Sequence, residues 1–279
     1  MKVGVIGTGN MGTIIIESLI EASAIEPSQL FITNRTISKT EPLKATHPSL
    51  QVVDSARELT QNSDIIFICV KPAQISSLLE TIKDLLSPRH ILVSITSPVS
   101  VNQLEAAVDC KVARIIPSIT NRALAGASLF SFSRRLSHED KEQLLSLFEE
   151  ISSPVLIDES ITRVASDISS CGPAFLSYIL EEMITAAVET TSISRDQATQ
   201  LMTEMAIGFG KLLEKDIYSF ETLKEKVRVK GGVTGVGLDV LEKQIGGRFT
   251  ALYEATEQKF KEDHALIDPH FPSVNTKLN

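Results

Sequence analysis

The chain has 279 residues, of which 43% are hydrophobic and 22% charged, the balance of an ordinary globular protein long enough for two domains. A formal net charge of −8, with no block of Lys or Arg, argues against a nucleic-acid surface. Three widely separated cysteines argue against a disulfide framework, and the longest uninterrupted apolar runs fall short of a membrane span, so the cytoplasm is the expected compartment. The short apolar run at the start ends in a glycine turn and does not read as a signal peptide.

Val3–Ile6 is a β-favouring run, and Gly7-Thr8-Gly9-Asn10-Met11-Gly12 follows it directly. Then Ile14, Ile15, Ile16, Leu19 and Ile20 recur at helical spacing. Strand, tight turn and helix in that order are the setting in which G-x-G-x-x-G binds a dinucleotide. Gly7 is expected to make the turn, Gly9 to let backbone approach a pyrophosphate, and Gly12 to let helix pack on strand. The pyrophosphate would rest on the helix N-terminus, where N–H groups lack intrahelical partners.

Gln29–Thr33 reads as the second strand. The turn after it, Asn34-Arg35-Thr36 with Ser38 and Lys39, lacks the acidic residue that bonds the ribose 2′-hydroxyl of NAD. Donors and positive charge stand there instead, as a 2′-phosphate requires. NADP(H) is therefore the preferred cofactor, with NAD(H) as the alternative.

Strand patterns at 52–53, 64–70, 90–95, 111–116, 127–132 and 154–157 alternate with helical ones, which implies a mostly parallel, doubly wound sheet. Ligands of such sheets bind beyond the carboxyl ends of the strands. The tips that carry Gly7–Gly12, Asn34–Lys39, Val70-Lys71-Pro72, Ser97 and Pro117-Ser118 are thus expected to share one crevice. From about residue 161 the pattern becomes wholly helical. The expected fold is α/β, a Rossmann-like domain over 1–160 followed by an all-α domain over 161–265. The remainder, 266–279, has no periodicity and is expected to fray.

Two helical-half features stand out. Ser169-Ser170-Cys171-Gly172-Pro173-Ala174 interrupts a helical pattern with a proline, which removes the donor to the Ser169 carbonyl. This is either a kink that turns backbone or hydroxyls to a ligand, or a helix boundary with Pro173 at the first position of the next helix. The other is Lys230-Gly231-Gly232-Val233-Thr234-Gly235-Val236-Gly237, ahead of a helix expected from Val236 to Gln244. Glycines at a helix start expose N–H groups that can hold a small carboxylate. The five histidines lie outside the crevice tips and at no metal-ligand spacing, so no metal site is expected. Cys171 reads as a small apolar filler rather than a nucleophile.

With these pieces together, the chain resembles the pyrroline-5-carboxylate reductases over nearly its whole length. The resemblance rests on Gly7–Gly12, Asn34-Arg35-Thr36, Val70-Lys71-Pro72, Arg114-x-x-Pro117, Cys171-Gly172-Pro173-Ala174 and Gly231-Gly232-Val233-Thr234. It implies NAD(P)H-dependent reduction of 1-pyrroline-5-carboxylate to proline, or of a related cyclic imino acid. It also implies a homodimer, or a higher oligomer, built through the helical domain, with active sites drawn from both subunits. Thr234 matches the threonine that hydrogen-bonds the imine nitrogen. Gly231, Gly232 and Val233 match the backbone that binds the substrate carboxylate, and Ser169 and Cys171 fall on the substrate side.

The family usually reads Met-Pro-Asn-Thr-Pro where this chain has Ile116-Pro117-Ser118-Ile119-Thr120, and Ser-Gly-Ser-Gly-Pro-Ala-Tyr where it has Ser169–Phe175. It also reads Pro-Gly-Gly in place of Lys230-Gly231-Gly232. The blocks Ser94–Pro98, Ile116–Gly126 and Val164–Ile168 resemble the ComER subgroup of bacilli, encoded beside late competence genes. That likeness implies a second reading: a cofactor-binding regulatory homologue with little catalysis, acting in competence, sporulation or biofilm development.

Overall fold

Val3–Ile6 (β1), Leu30–Thr33 (β2), Gln51–Val52 (β3), Ile65–Ile68 (β4), Ile91–Ser94 (β5), Lys111–Ile116 (β6), Ala127–Phe132 (β7) and Ser153–Leu156 (β8) form one sheet. These are the coordinates of a computed structural model that describes residues 1–272; the part of the expected tail from 273 to 279 lies outside the described residues. The strand order is β3-β2-β1-β4-β5-β6-β7-β8, parallel throughout except where β7 runs against β6. The helices that cover it are Asn10–Glu21 (α1), Glu41–Thr46 (α2), Ala56–Asn62 (α3), Ile75–Ile82 (α4), Val101–Ala107 (α5) and His138–Glu149 (α6).

The continuous apolar run of β4 follows from burial on both faces. Ile65 and Phe67 join Ile15, Ile16 and Leu19 of α1 in one core, while Ile66 and Ile68 join Ile75, Leu79 and Ile82 of α4 in the other. Each such side chain removed from water contributes about 1.5–3 kcal/mol. Helix starts are fixed locally. Ser137 accepts from Asp140 N at the start of α6, Ser100 from Gln103 N at the start of α5, and in both the third residue caps back.

The chain divides into two compact units, Met1–Pro173 together with the chain from Thr256 onward, and Ala174–Ala255. The boundary expected at 160 therefore falls inside the first unit, because Thr162–Ser166 (α7) and the turn after it are tied to the sheet by buried hydrogen bonds. Asp167–Cys171 is a single π-helical turn, and Gly172–Thr190 (α8) continues from it. Pro173 thus lies inside a continuous helix rather than at a boundary. From Glu159 to Thr190 this stretch has 32 residues and contains an 18-residue window of mean hydropathy 1.2, long and apolar enough to cross a membrane by length and composition alone. It also carries Arg163, Asp167, Glu181 and Glu182.

The second unit holds α8 from Ala174 onward, Arg195–Glu214 (α9), Phe220–Val227 (α10), Val233–Ile245 (α11) and the first part, to Ala255, of Arg248–Ile267 (α12). Large apolar side chains on it are exposed, among them Leu201, Met205, Phe220, Val236 and Val240, and Val233 is 90% exposed. Helix α11 starts three residues before the expected Val236. Extended backbone at Gly232 starts it, and the roughly 1 kcal/mol that each interior glycine costs does not prevent it.

The expected fraying from 266 does not hold for the described part of that segment. Helix α12 runs to Ile267, and Ile267 and Phe271 are buried in the core beneath α4 and α5. Gln103 Nε2 donates to Asp268 Oδ1 at 2.7 Å and Ser76 Oγ to the His270 carbonyl at 2.6 Å. The sequence hides this because two isolated apolar residues around a proline have no period. Phe271→Ala should therefore destabilise the protein by about 3–5 kcal/mol, the usual cost of a buried Phe truncation, read as a lower urea midpoint. An unchanged midpoint would show that the segment is not docked in solution.

Candidate active site

The strand order reverses between β1 and β4, and the turns after these two strands meet. Gly7 has φ +104°, and a Cβ there would lie 2.5 Å from the Cys69 carbonyl oxygen. At Gly12 a Cβ would come within 2.0 Å of the Gly7 carbonyl oxygen. Gly9 has an ordinary φ of −77°, and a Cβ would meet nothing within 4 Å. Two glycines are thus demanded by the turn and the packing, and the third leaves the backbone bare toward open space. The first-turn amides of α1, on Asn10, Met11 and Gly12, have no intrahelical acceptor, and the turn carries no acidic side chain. These are features that a pyrophosphate requires.

Thr8, buried, ties this loop to the next. Its N–H donates to Asn34 Oδ1 at 3.2 Å, and Asn34 Nδ2 donates to the Thr36 carbonyl at 2.9 Å. Asn34 therefore stands where an acidic residue would hold a ribose and serves as a strut. Arg35, Thr36, Ser38 and Lys39 are exposed, and among the described residues neither Arg35 nor Lys39 has an ion-pair partner. The positive charge of this turn is thus available for a phosphate. Val70 and Pro72 are half-buried beside the glycine loop, and exposed Lys71 precedes the short turn Pro72–Gln74. Burial pushes the Cys69 thiol well above its ordinary pKa, so it stays neutral beneath the loop.

The Ser97 tip is held from below by Arg114, which is only 2% exposed. Arg114 donates to the Ser97 carbonyl at 3.2 Å and to Thr162 Oγ1 at 2.6 Å, and pairs with Glu159 at 3.2 Å. Burial lowers its pKa and the Glu159 carboxylate opposes that, so the guanidinium remains a fixed positive charge. The hint in the sequence is an arginine inside the apolar strand Val112-Ala113-Arg114-Ile115-Ile116.

Pro117 and Ser118 meet the π-turn. Ser118 is fully buried, and its hydroxyl donates to the Ser169 carbonyl at 2.8 Å; Ser170 Oγ donates to the Pro117 carbonyl at 2.9 Å. The Ser169 hydroxyl turns back onto the Ala165 carbonyl. Asp167, 1% exposed, accepts from Arg163 at 2.8 Å and from Thr256 Oγ1 at 2.6 Å. Cys171 Sγ lies 3.4 Å from the same Arg163, and burial raises its thiol pKa, which suits a neutral filler rather than a nucleophile. Arg163 and Asp167 stand at i,i+4 spacing on one helix, an ordinary ion-pair pattern, and Thr256 lies 89 positions on, so nothing in the sequence joins the three into one cluster.

In the second unit, Gly231 adopts φ +75° and Gly232 caps α11 with extended backbone. Val233 and Thr234 open that helix, so their amides lack intrahelical acceptors. Among the described residues no cluster of three or more His, Cys, Asp or Glu could hold a metal.

Comparison with known proteins decides the family. "Pyrroline-5-carboxylate reductase 3" of Bacillus subtilis is 33% identical over 93% of this chain and 96% of its own length. The chain belongs to the pyrroline-5-carboxylate reductase family. It is an oxidoreductase of the pyrroline-5-carboxylate reductase type. The "ComE operon protein 4" of Bacillus subtilis is 49% identical over 97% of this chain and 99% of its own. The family model for pyrroline-5-carboxylate reductase dimerisation matches residues 159–263, and that for NADP oxidoreductase coenzyme F420-dependent matches 2–98. The Plasmodium falciparum pyrroline carboxylate reductase, solved with NADP bound, superposes with a TM-score of 0.81 at 27% identity, over 96% of this chain and 98% of that one. The Coxiella burnetii enzyme gives 0.83 at 23% identity and shares the fold, covering 95% of this chain and 98% of that one.

Gly12→Ala tests the packing at the glycine loop. The methyl would have to displace the Gly7 carbonyl, at a cost of about 1–3 kcal/mol. The expected result is a lower melting temperature together with loss of NADPH binding by calorimetry. Normal binding would mean that the loop has room the structure does not show.

Proposed function

We propose that the chain reduces the C=N bond of 1-pyrroline-5-carboxylate, or of a closely related cyclic imino acid, with NADPH as the preferred donor. The observation that carries this reading is Thr234 in the first turn of α11, directly after Gly231 and Gly232, with helix-start amides beside its hydroxyl. A small carboxylate is recognised by such amides. The first-unit loops fit the cofactor: the α1 amides and bare Gly9 for the pyrophosphate, Arg35, Ser38 and Lys39 for a 2′-phosphate, and Val70–Pro72 and Ser97 along the crevice.

The reduced nicotinamide supplies a hydride to the imine carbon when bound. The chain's own task is to hold the carboxylate on the amides of Gly231 and Val233, the Gly232 amide being engaged by the Val229 carbonyl at 2.8 Å, and to serve the ring nitrogen. The Thr234 hydroxyl donates a hydrogen bond there, or relays a proton from water, and needs no shifted pKa. The matched dimerisation family and the exposed apolar side chains of the second unit support a homodimer. A cytoplasmic enzyme without nucleic-acid or membrane partners completes the reading.

Purified protein should oxidise NADPH in the presence of pyrroline-5-carboxylate, and Thr234→Ala should lower kcat by about a hundredfold or more while NADPH binding persists. Absence of turnover at saturating cofactor would reject the reaction and leave a binding protein. Arg35→Ala should raise the Kd for NADPH by about tenfold, the loss of one charge-assisted bond, without altering that for NADH. Equal effects on both would remove the assignment of the 2′-phosphate to this turn.

A further inference from the structure

Pro173 has no N–H, so the helix offers no α-helical donor to the carbonyl of Ser169. The Ser118 hydroxyl stands in that place at 2.8 Å. Ser118 is itself held: its N–H donates to Asn121 Oδ1 at 2.8 Å. Asn121, 1% exposed, donates from Nδ2 to the Ala125 carbonyl at 3.0 Å, and its own carbonyl accepts from Ser18 Oγ of α1 at 2.9 Å. Ser18 is fully buried. The loop between has little freedom, for Leu124 and Gly126 both have positive φ, and a Cβ on Gly126 would lie 2.1 Å from Thr120 Oγ1. A second bond, from Ser170 Oγ to the Pro117 carbonyl, runs beside the first.

An unbroken series of hydrogen bonds, Ser18–Asn121–Ser118–Ser169, the first two buried and the last part-buried, therefore joins the helix that opens at the glycine loop to the π-turn. We infer that Ser118 is a positioning residue: its hydroxyl replaces the amide that Pro173 lacks and fixes the Ser169–Cys171 turn against the cofactor-loop helix. It does this without touching cofactor or substrate, since it is buried and its proton is engaged. The inference rests on the proposed reduction, in which the alignment of donor and imine sets the rate. Misplacement of about 1 Å in such a reaction can cost a hundredfold. The π-turn suits this use. A helix that misses one donor has no single preferred register, and an external hydroxyl selects one.

The test compares the wild-type protein with Ser118→Ala and with the near-isosteric Ser118→Cys, which serves if the first fails to fold. Three quantities are read: Kd for NADPH, kcat with pyrroline-5-carboxylate, and amide hydrogen exchange over residues 167–175. Loss of the donor should lower kcat by about tenfold or more, leave the NADPH Kd unchanged and speed exchange across the π-turn. Ser118→Thr, which keeps the hydroxyl, should restore part of the rate. In an active enzyme, an unchanged kcat overturns the inference whatever the exchange shows, and so does a raised NADPH Kd, which would mean direct cofactor contact. If the wild-type chain binds NADPH and reduces no imine, the proposed reaction falls separately. Exchange then decides the brace: faster exchange in Ser118→Ala supports it and unchanged exchange overturns it.

Discussion

At the carboxyl ends of β1 and β4, Gly12 stands so close to the Gly7 carbonyl that a methyl group would lie 2.0 Å from its oxygen, while Gly7 meets Cys69 in the same way. This contact fixes where α1 can start, and so where its unpaired amides point. It also sets the distance from the first loop to the second, because Thr8 and Asn34 can reach each other only if the turn is that tight. Much of the sheet unit follows. Helix α1 presents Ile15, Ile16 and Leu19 to one face, and Ser18 to the Asn121 carbonyl, from an origin with no room to move.

The site departs from a pure cofactor cradle in how heavily it uses buried polar groups. Arg114 and Asp167 are both almost wholly removed from water, where an unpaired charge would be strongly destabilising. Each is paired and hydrogen-bonded, and each joins a segment of the 159–171 helix to something distant in sequence: Arg114 to the Ser97 tip, Asp167 to Thr256 on α12. Networks of this kind add little net stability compared with apolar packing, yet they tolerate few alternative arrangements. That is the property wanted beneath a crevice whose walls come from separate loops.

Fold class, the strand–turn–helix unit at the glycine loop and the helical second half were legible because their signals are local and periodic: Val3–Gly12 is strand, turn and helix within a dozen residues. The crevice tips were legible for the same reason, since each follows a strand. What stayed hidden is long-range and aperiodic. Nothing near Ser118 announces that its hydroxyl replaces the amide of Pro173, fifty-five positions later, although the proline itself marked the Ser169 carbonyl as needing a donor. The docking of Ile267 and Phe271 was hidden because a two-residue contact has no period to detect. The start of α11 at Val233 was missed because glycine content argued for a loop, and the capping geometry of Gly232 outweighed it.

The route of the last helix carries a kinetic consequence. α12 leaves the second unit and ends in the core beneath α4 and α5, with Ser76 bonded to His270 across 194 positions and Gln103 to Asp268 across 165. The first unit, though not its sheet, is thus interrupted as a continuous polypeptide by the whole of 174–255. A nascent chain can pair β1 to β8 early, but one flank of its core stays open until residue 271 has left the ribosome. Contacts of such sequence separation close slowly. In the interval the growing protein shows apolar surface from both halves at once, and it is then, rather than after folding, that aggregation competes most strongly.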